Sequence, residues 1–113
     1  MQHRDRIILQ KVIAEIDIGE KLLGNVGADD FCHDEMQKRA LSMTVINIDE
    51  LVKNVSDEMR ASHREVPWKA VAGMRDLAAH KYQTLRMEDV YNTVRLDFPQ
   101  LKAMLSKILD EDQ

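Results

Sequence analysis

Leu41, Val45, Ile48, Val52, Val55 and Met59 recur at steps of four and three. That spacing lays all six on one side of an α-helix and is foreign to the two-residue alternation of a strand. Met36, Ala40 and Met43 form a second apolar row on the same segment. A helix apolar on two sides belongs at the centre of a bundle or at a dimer seam. The flanking segments repeat the theme. Leu9, Val12, Ile13, Ile16 and Leu23 predict a first helix over about residues 5–23, ended by Gly24-Asn-Val-Gly27, after which Asp29 or Asp30 caps the long second helix. A polar link over 62–66 precedes Pro67, a favourable first helical residue, and Trp68, Val71, Ala72 and Leu77 carry a third helix toward His80. Residues 81–86 read as a loop. Val90, Tyr91 and Val94 mark a short fourth helix, and Pro99 opens a fifth with Leu101, Met104, Leu105 and Ile108 on one face. Short connections and the lack of any strand pattern predict an all-α, up-and-down bundle of four to five helices.

Composition supports one such domain across residues 1–113: 44% hydrophobic and 32% charged residues describe a chain that folds, and 4% aromatics with four Gly and two Pro disfavour a sandwich or barrel. Cys32 is the single cysteine, which excludes an intrachain disulfide and makes a reducing cytoplasm the expected compartment. The opening Met-Gln-His-Arg-Asp-Arg leads into an amphipathic pattern, unlike a secretory signal, and no apolar run reaches membrane-spanning length, so no membrane partner is expected. The net charge of −4 disfavours nucleic acid until its distribution is considered. From Arg60 to Arg86, six basic residues (Arg60, Arg64, Lys69, Arg75, Lys81, Arg86) face only Glu65 and Asp76, whereas ten basic and eighteen acidic residues make up the remainder. A local positive field of that kind attracts a polyanion despite an acidic total; a solvated helix end with its loop is the plain alternative.

The same basic segment holds Arg75-Asp-Leu-Ala-Ala-His80-Lys-Tyr82. A permanent cation with a planar fork of donors grips phosphate oxygens, and an imidazole moves protons near neutral pH. Together they suffice to cleave a phosphodiester without a metal. Five residues of helix turn through about 500°, so Arg75 and His80 project roughly 140° apart and meet only if the last turn unwinds, if Arg75 swings past Ala78 and Ala79, or if a two-fold axis pairs the helix with its twin. Asp76 stands four residues before His80 and stacks on it, able to orient the ring and favour its protonated form. Equally open at this stage is a reading in which Arg75 and Asp76 are surface charges and His80 caps a helix C-terminus. His3, His33 and His63 are scattered and lack metal-ligand spacing, so no metal and no cofactor are expected. No Gly-rich phosphate loop and no serine nucleophile arrangement is present.

Val66-Pro-Trp-Lys69, Gly73-Met-Arg75-Asp76, His80-Lys-Tyr82 and Asp97-Phe-Pro-Gln-Leu101 follow one another in an order that resembles the HepT-like (DUF86) branch of the HEPN superfamily. Its signature is an Arg, a polar residue, three positions, a His, and a Tyr two further on; Arg75, Asp76, His80 and Tyr82 match it position by position. Asp76 departs from the Asn common among relatives, and a carboxylate there repels RNA or retunes His80. The resemblance implies an all-helical, usually dimeric ribonuclease that cuts RNA without metal, with Arg75 and His80 catalytic in a cleft shared by two subunits and Asp76 supportive. It further implies a toxin of a type II/VII-like toxin-antitoxin pair, whose partner is a minimal nucleotidyltransferase antitoxin that silences it by moving AMP from ATP onto Tyr82. The expected partners are therefore an RNA substrate, that antitoxin and a second copy of the chain. The rival expectation, from a different class, is a non-catalytic helical subunit that positions substrate for a partner nucleotidyltransferase; Asp76 and the acidic total favour it. A purely structural helical dimer is a third.

Overall fold

A computed structural model describes residues 1–72 and 86–112 of the chain. Among the described residues every regular element is a helix. The longest, α1 (His3–Leu23), buries Ile8, Leu9, Val12, Ile16 and Leu23 and ends at Gly24, whose φ of 55° is the left-handed conformation that glycine tolerates best. The Gly24 N–H donates to the Glu20 carbonyl at 2.9 Å, closing the last turn.

Two features depart from the expected long second helix. A five-residue helix, α2 (Ala28–Cys32), intervenes and buries Phe31 against Tyr91, ring centroids 5.7 Å apart. Asp29 and Asp30 lie in its first turn and cap nothing that follows; the cap of α3 (Glu35–Lys53) is Asp34, whose carboxylate accepts from the Gln37 N–H at 3.1 Å. The helix then breaks at residues 54–56 before α4 (Asp57–Ser62). Ser56 causes the break. Its hydroxyl accepts from the Met59 N–H at 3.1 Å to cap α4, while its own N–H and O–H donate to the buried Asp5 carboxylate at 3.0 and 2.6 Å. Arg60 fills the gap from the other side, donating to the Val52, Lys53 and Val55 carbonyls that end α3. Val55 and Met59 remain buried, so the apolar stripe continues across the corner although the helix does not. Of the second row, Ala40 is half-buried, while Met36 is 84% and Met43 54% exposed.

Beyond the second described boundary, α5 (Met87–Asn92), a π-helical turn (Thr93–Asp97) and α6 (Phe98–Glu111) form one continuous rod where two separate helices were expected. Pro99 lies in the first turn of α6 and does not start a new element. A proline inside a helix lacks a donor and presses on the carbonyl four residues back, here that of Arg95. The widened turn just upstream, in which the Phe98 N–H reaches five residues back to the Thr93 carbonyl, absorbs that conflict.

Polar contacts give the topology. Leu22 meets Gln37, Glu15 meets Asn47 and Asp5 meets Ser56, so α1 and α3 run antiparallel. Asp17 meets Lys102 and Arg6 meets Asp112, so α6 also runs antiparallel to α1. The Arg6 guanidinium holds the Asp112 carboxyl below the ordinary carboxylate range. The result is the expected all-α bundle, up-and-down about a core drawn from Leu9, Val12 and Ile16, Leu41, Val45 and Ile48, and Leu101, Leu105 and Ile108. Gly19 sets how closely α1 and α3 approach: a Cβ there would stand 3.0 Å from Thr44 Cγ2 and 3.9 Å from Val94 Cγ1. Gly19→Leu is therefore expected to overpack the crossing and lower stability by about 1–3 kcal/mol despite a better helix propensity, read from the midpoint of urea unfolding followed by circular dichroism.

Candidate functional site

Arg75, Asp76, His80 and Tyr82 lie outside the described residues, as does all of the expected loop over 81–86 except Arg86. The structure instead gives the frame on either side of them. Upstream, residues 68–72 are helical. Pro67 stands one position before the helix, its carbonyl accepting from the Val71 N–H at 3.1 Å. Trp68 is the anchor: it is buried, and its indole Nε1–H donates to the His63 carbonyl at 2.9 Å, bridging the polar link to the helix it precedes. Val66 is buried beside it. Downstream, the Arg86 carbonyl accepts from the Asp89 N–H at 3.0 Å and opens α5, where Val90 is buried.

A second clasp holds α5 and the π turn to the link between α1 and α2. Arg95 donates to the Gly24 and Val26 carbonyls at 2.8 and 2.7 Å, its guanidinium carbon lies 5.3 Å from the Tyr91 ring centroid, and the Tyr91 hydroxyl also donates to Val26 at 3.1 Å. Three hydrogen bonds from these two side chains, two of them charge-assisted, fix a loop that has no regular structure of its own, and the Arg95–Tyr91 contact braces the pair.

Between these anchors lies a cavity of about 180 Å³. Its walls are Asp49 of α3, Pro67, Ala70 and Val71 of the turn before the motif, Thr93 and Asp97 of the π turn, and Phe98, Leu101 and Met104 of α6. Asp49 is wholly buried. A carboxylate is kept at that depth only with polar partners, since burying it bare costs several kcal/mol. The lining is otherwise mainly apolar, a setting in which any charge interaction gains strength. Sequence reasoning missed Asp49 and Asp97. The signal for Asp49 was present: it stands four residues after Val45 and three before Val52, so a carboxylate interrupts the apolar stripe.

The remaining histidines and cysteine are dispersed. His33 Nδ1 lies 2.7 Å from the Asp29 carbonyl and His63 Nδ1 3.3 Å from Glu65 Oε1. Among the described residues no three His, Cys, Asp or Glu side chains are grouped to hold a metal ion, and no helix is long and apolar enough to cross a membrane.

Comparison with known proteins places this frame. A curated relative from Caldanaerobacter subterraneus subsp. tengcongensis, named "Putative RNase", is 30% identical over 96% of each chain. One from Thermococcus cleftensis, named "Probable ribonuclease HepT", is 28% identical over 94% of each. A Methanocaldococcus jannaschii protein named "Gamma-glutamylcyclotransferase and putative RNase" is 29% identical over 94% of this chain and 48% of its own length. No solved structure matches. The family model "Ribonuclease HepT-like" matches residues 12–108, which takes in α1 from Val12 onward, α3, the whole motif segment and α6 as far as Ile108, and the chain belongs to that family.

Proposed function

We propose that the protein is a metal-independent endoribonuclease whose working groups are Arg75 and His80. The observation that carries this reading is the Arg75, Asp76, His80, Tyr82 spacing inside the interval matched by a ribonuclease family. In the proposed reaction the ribose 2′-hydroxyl attacks the adjacent phosphorus and the 5′-oxygen leaves as an alcohol. One imidazole removes the 2′ proton and a second, protonated, gives one to the leaving oxygen; His80 from two copies of the chain divides those roles. Arg75 binds the non-bridging oxygens and tightens as negative charge accumulates on them, an effect worth about 3 kcal/mol for a typical oxyanion donor. Asp76 orients the ring of His80.

The two copies are proposed to meet through a face built partly by α3. The uncovered Met36 and Met43 support an apolar contact there, because exposed methionines at helical spacing suit an interface better than water. Tyr82 is proposed as the silencing point: transfer of AMP from ATP by a nucleotidyltransferase antitoxin joins the phenolic oxygen to the α-phosphorus and releases pyrophosphate. The product sets a bulky anion two residues from His80, neutralising the local field that draws RNA. This makes the protein the toxin of a toxin-antitoxin pair. The reading in which the chain is a non-catalytic subunit for that nucleotidyltransferase has the acidic Asp76 in its favour.

With a chelator present, the wild type is expected to cut single-stranded RNA while Arg75→Ala and His80→Ala lose at least a hundredfold in rate with unchanged helical circular dichroism; cleavage that depended on added divalent metal, or an undiminished His80→Ala, would overturn the assignment. Tyr82→Phe is expected to retain RNA cleavage yet gain no mass when incubated with the nucleotidyltransferase and ATP, whereas the wild type gains AMP by intact mass spectrometry. Equal labelling of Tyr82→Phe would place the modification elsewhere.

A further inference from the structure

A concave surface of about 320 Å³ lies on the outer side of the turn that leads into the motif, lined by Arg60, Arg64, Val66, Pro67, Trp68, Lys69 and Ala70. Three cations and no carboxylate face it. Pro67 and Ala70 also line the buried-Asp49 cavity, so one short segment forms the wall between the two spaces. The cations differ in what they already do. Arg60 is committed, its guanidinium spent on the Val52, Lys53 and Val55 carbonyls. Arg64 and Lys69 are exposed, and neither pairs with a carboxylate among the described residues. Glu65, the acidic residue between them, is turned to His63 at 3.3 Å. By contrast Arg6, Lys38, Arg39, Lys102 and Lys107 each have a carboxylate partner. The floor between Arg64 and Lys69 is apolar and rigid, since Val66 and Trp68 are buried and the indole is tied to His63.

Cations left without partners, over a fixed apolar floor, match a chain of phosphates linked by less polar sugars. Two cations over so short a span suit one strand; a duplex needs a far broader contact. We infer that Arg64 and Lys69 form a phosphate track for single-stranded RNA, eleven and six residues before Arg75 in the chain. This inference rests on the ribonuclease reading for its substrate, but its signature is binding, which is measured without cleavage.

The test uses the full chain and a fluorescein-labelled single-stranded RNA twelve nucleotides long, carrying 2′-O-methyl sugars so that it binds without being cut. Fluorescence anisotropy is recorded from about 50 to 300 mM salt for the wild type, Arg64→Gln/Lys69→Gln, and a control of equal charge change at the opposite end of the bundle, Lys21→Gln/Lys38→Gln. Losing two phosphate contacts should weaken binding about 25-fold near 100 mM salt and flatten the slope of log affinity against log salt by about 1.4, with the control close to wild type. Equal affinity in Arg64→Gln/Lys69→Gln and wild type, an equal loss in the control, or no RNA binding by the wild type would each overturn the track. If the wild type binds the twelve-mer but cuts no RNA, the ribonuclease reading fails and the track stands.

Discussion

The structure depends on how closely α1 can lie against α3. Leu9, Val12 and Ile16 on one helix and Leu41, Val45 and Ile48 on the other are all fully buried, each contributing about 1.5–3 kcal/mol by leaving water. That gain requires the backbones to approach where Gly19 faces Thr44, with no side chain between them. Once the pair is formed, its two grooves accept the rest: α6 lies along α1 through Lys102 and Arg6, and α2 closes the far end through Phe31. The short elements are consequences of this pairing. Neither α2 nor α4 has enough residues to hold itself helical in water.

A catalytic constellation works only when rigid elements carry it. For the Arg75–His80 constellation proposed above, the described flanks of residues 73–85 supply that rigidity by different means. Upstream it uses one large side chain, Trp68, sunk into the core with its polar edge on the His63 carbonyl. Downstream it uses Arg95 and Tyr91, which grip the backbone of the first interhelical link. Both anchors act on the backbone rather than on another side chain, so their geometry is insensitive to rotamer changes elsewhere. The wholly buried Asp49 and the π turn face the same cavity, which concentrates the irregular and polar features of an otherwise apolar bundle at one place. Such features cost stability and are usually retained where a site needs them.

Much of this was legible from residue spacing alone. The stripe from Leu41 to Met59 located the central helix face, and every one of its six members is buried. The first helix was placed within two residues of its start and at its last residue. What spacing could not reveal were the interruptions. The corner at Ser56 depends on Asp5, 51 residues away in the chain, and a periodicity argument sees only neighbours. Asp34 caps α3 where Asp29 or Asp30 was expected because Phe31 is drawn into the core and converts the link into a helical turn. Pro99 reads as a helix start because proline favours a first turn, and nothing in the residue spacing signals the widened turn before it. For the site, residue types and spacing mark Arg75 and His80 as chemically capable, yet an ideal helix would project them apart; the roles proposed for them rest on family resemblance, and the family match stands on residues 12–108.

The π turn at Thr93–Asp97 has a structural corollary. It holds one residue more than regular winding would need, and the widening absorbs that surplus locally. Excising a single residue there would let the turn wind regularly and leave the last fourteen-residue helix near its present phase. Phe98, Leu101, Leu105 and Ile108 would stay toward the interior, but Pro99 would press on the Arg95 carbonyl without relief. The surplus residue thus acts as a spacer for the proline, and a chain of this family that lacked it would close the same bundle more easily with another residue in the proline's place.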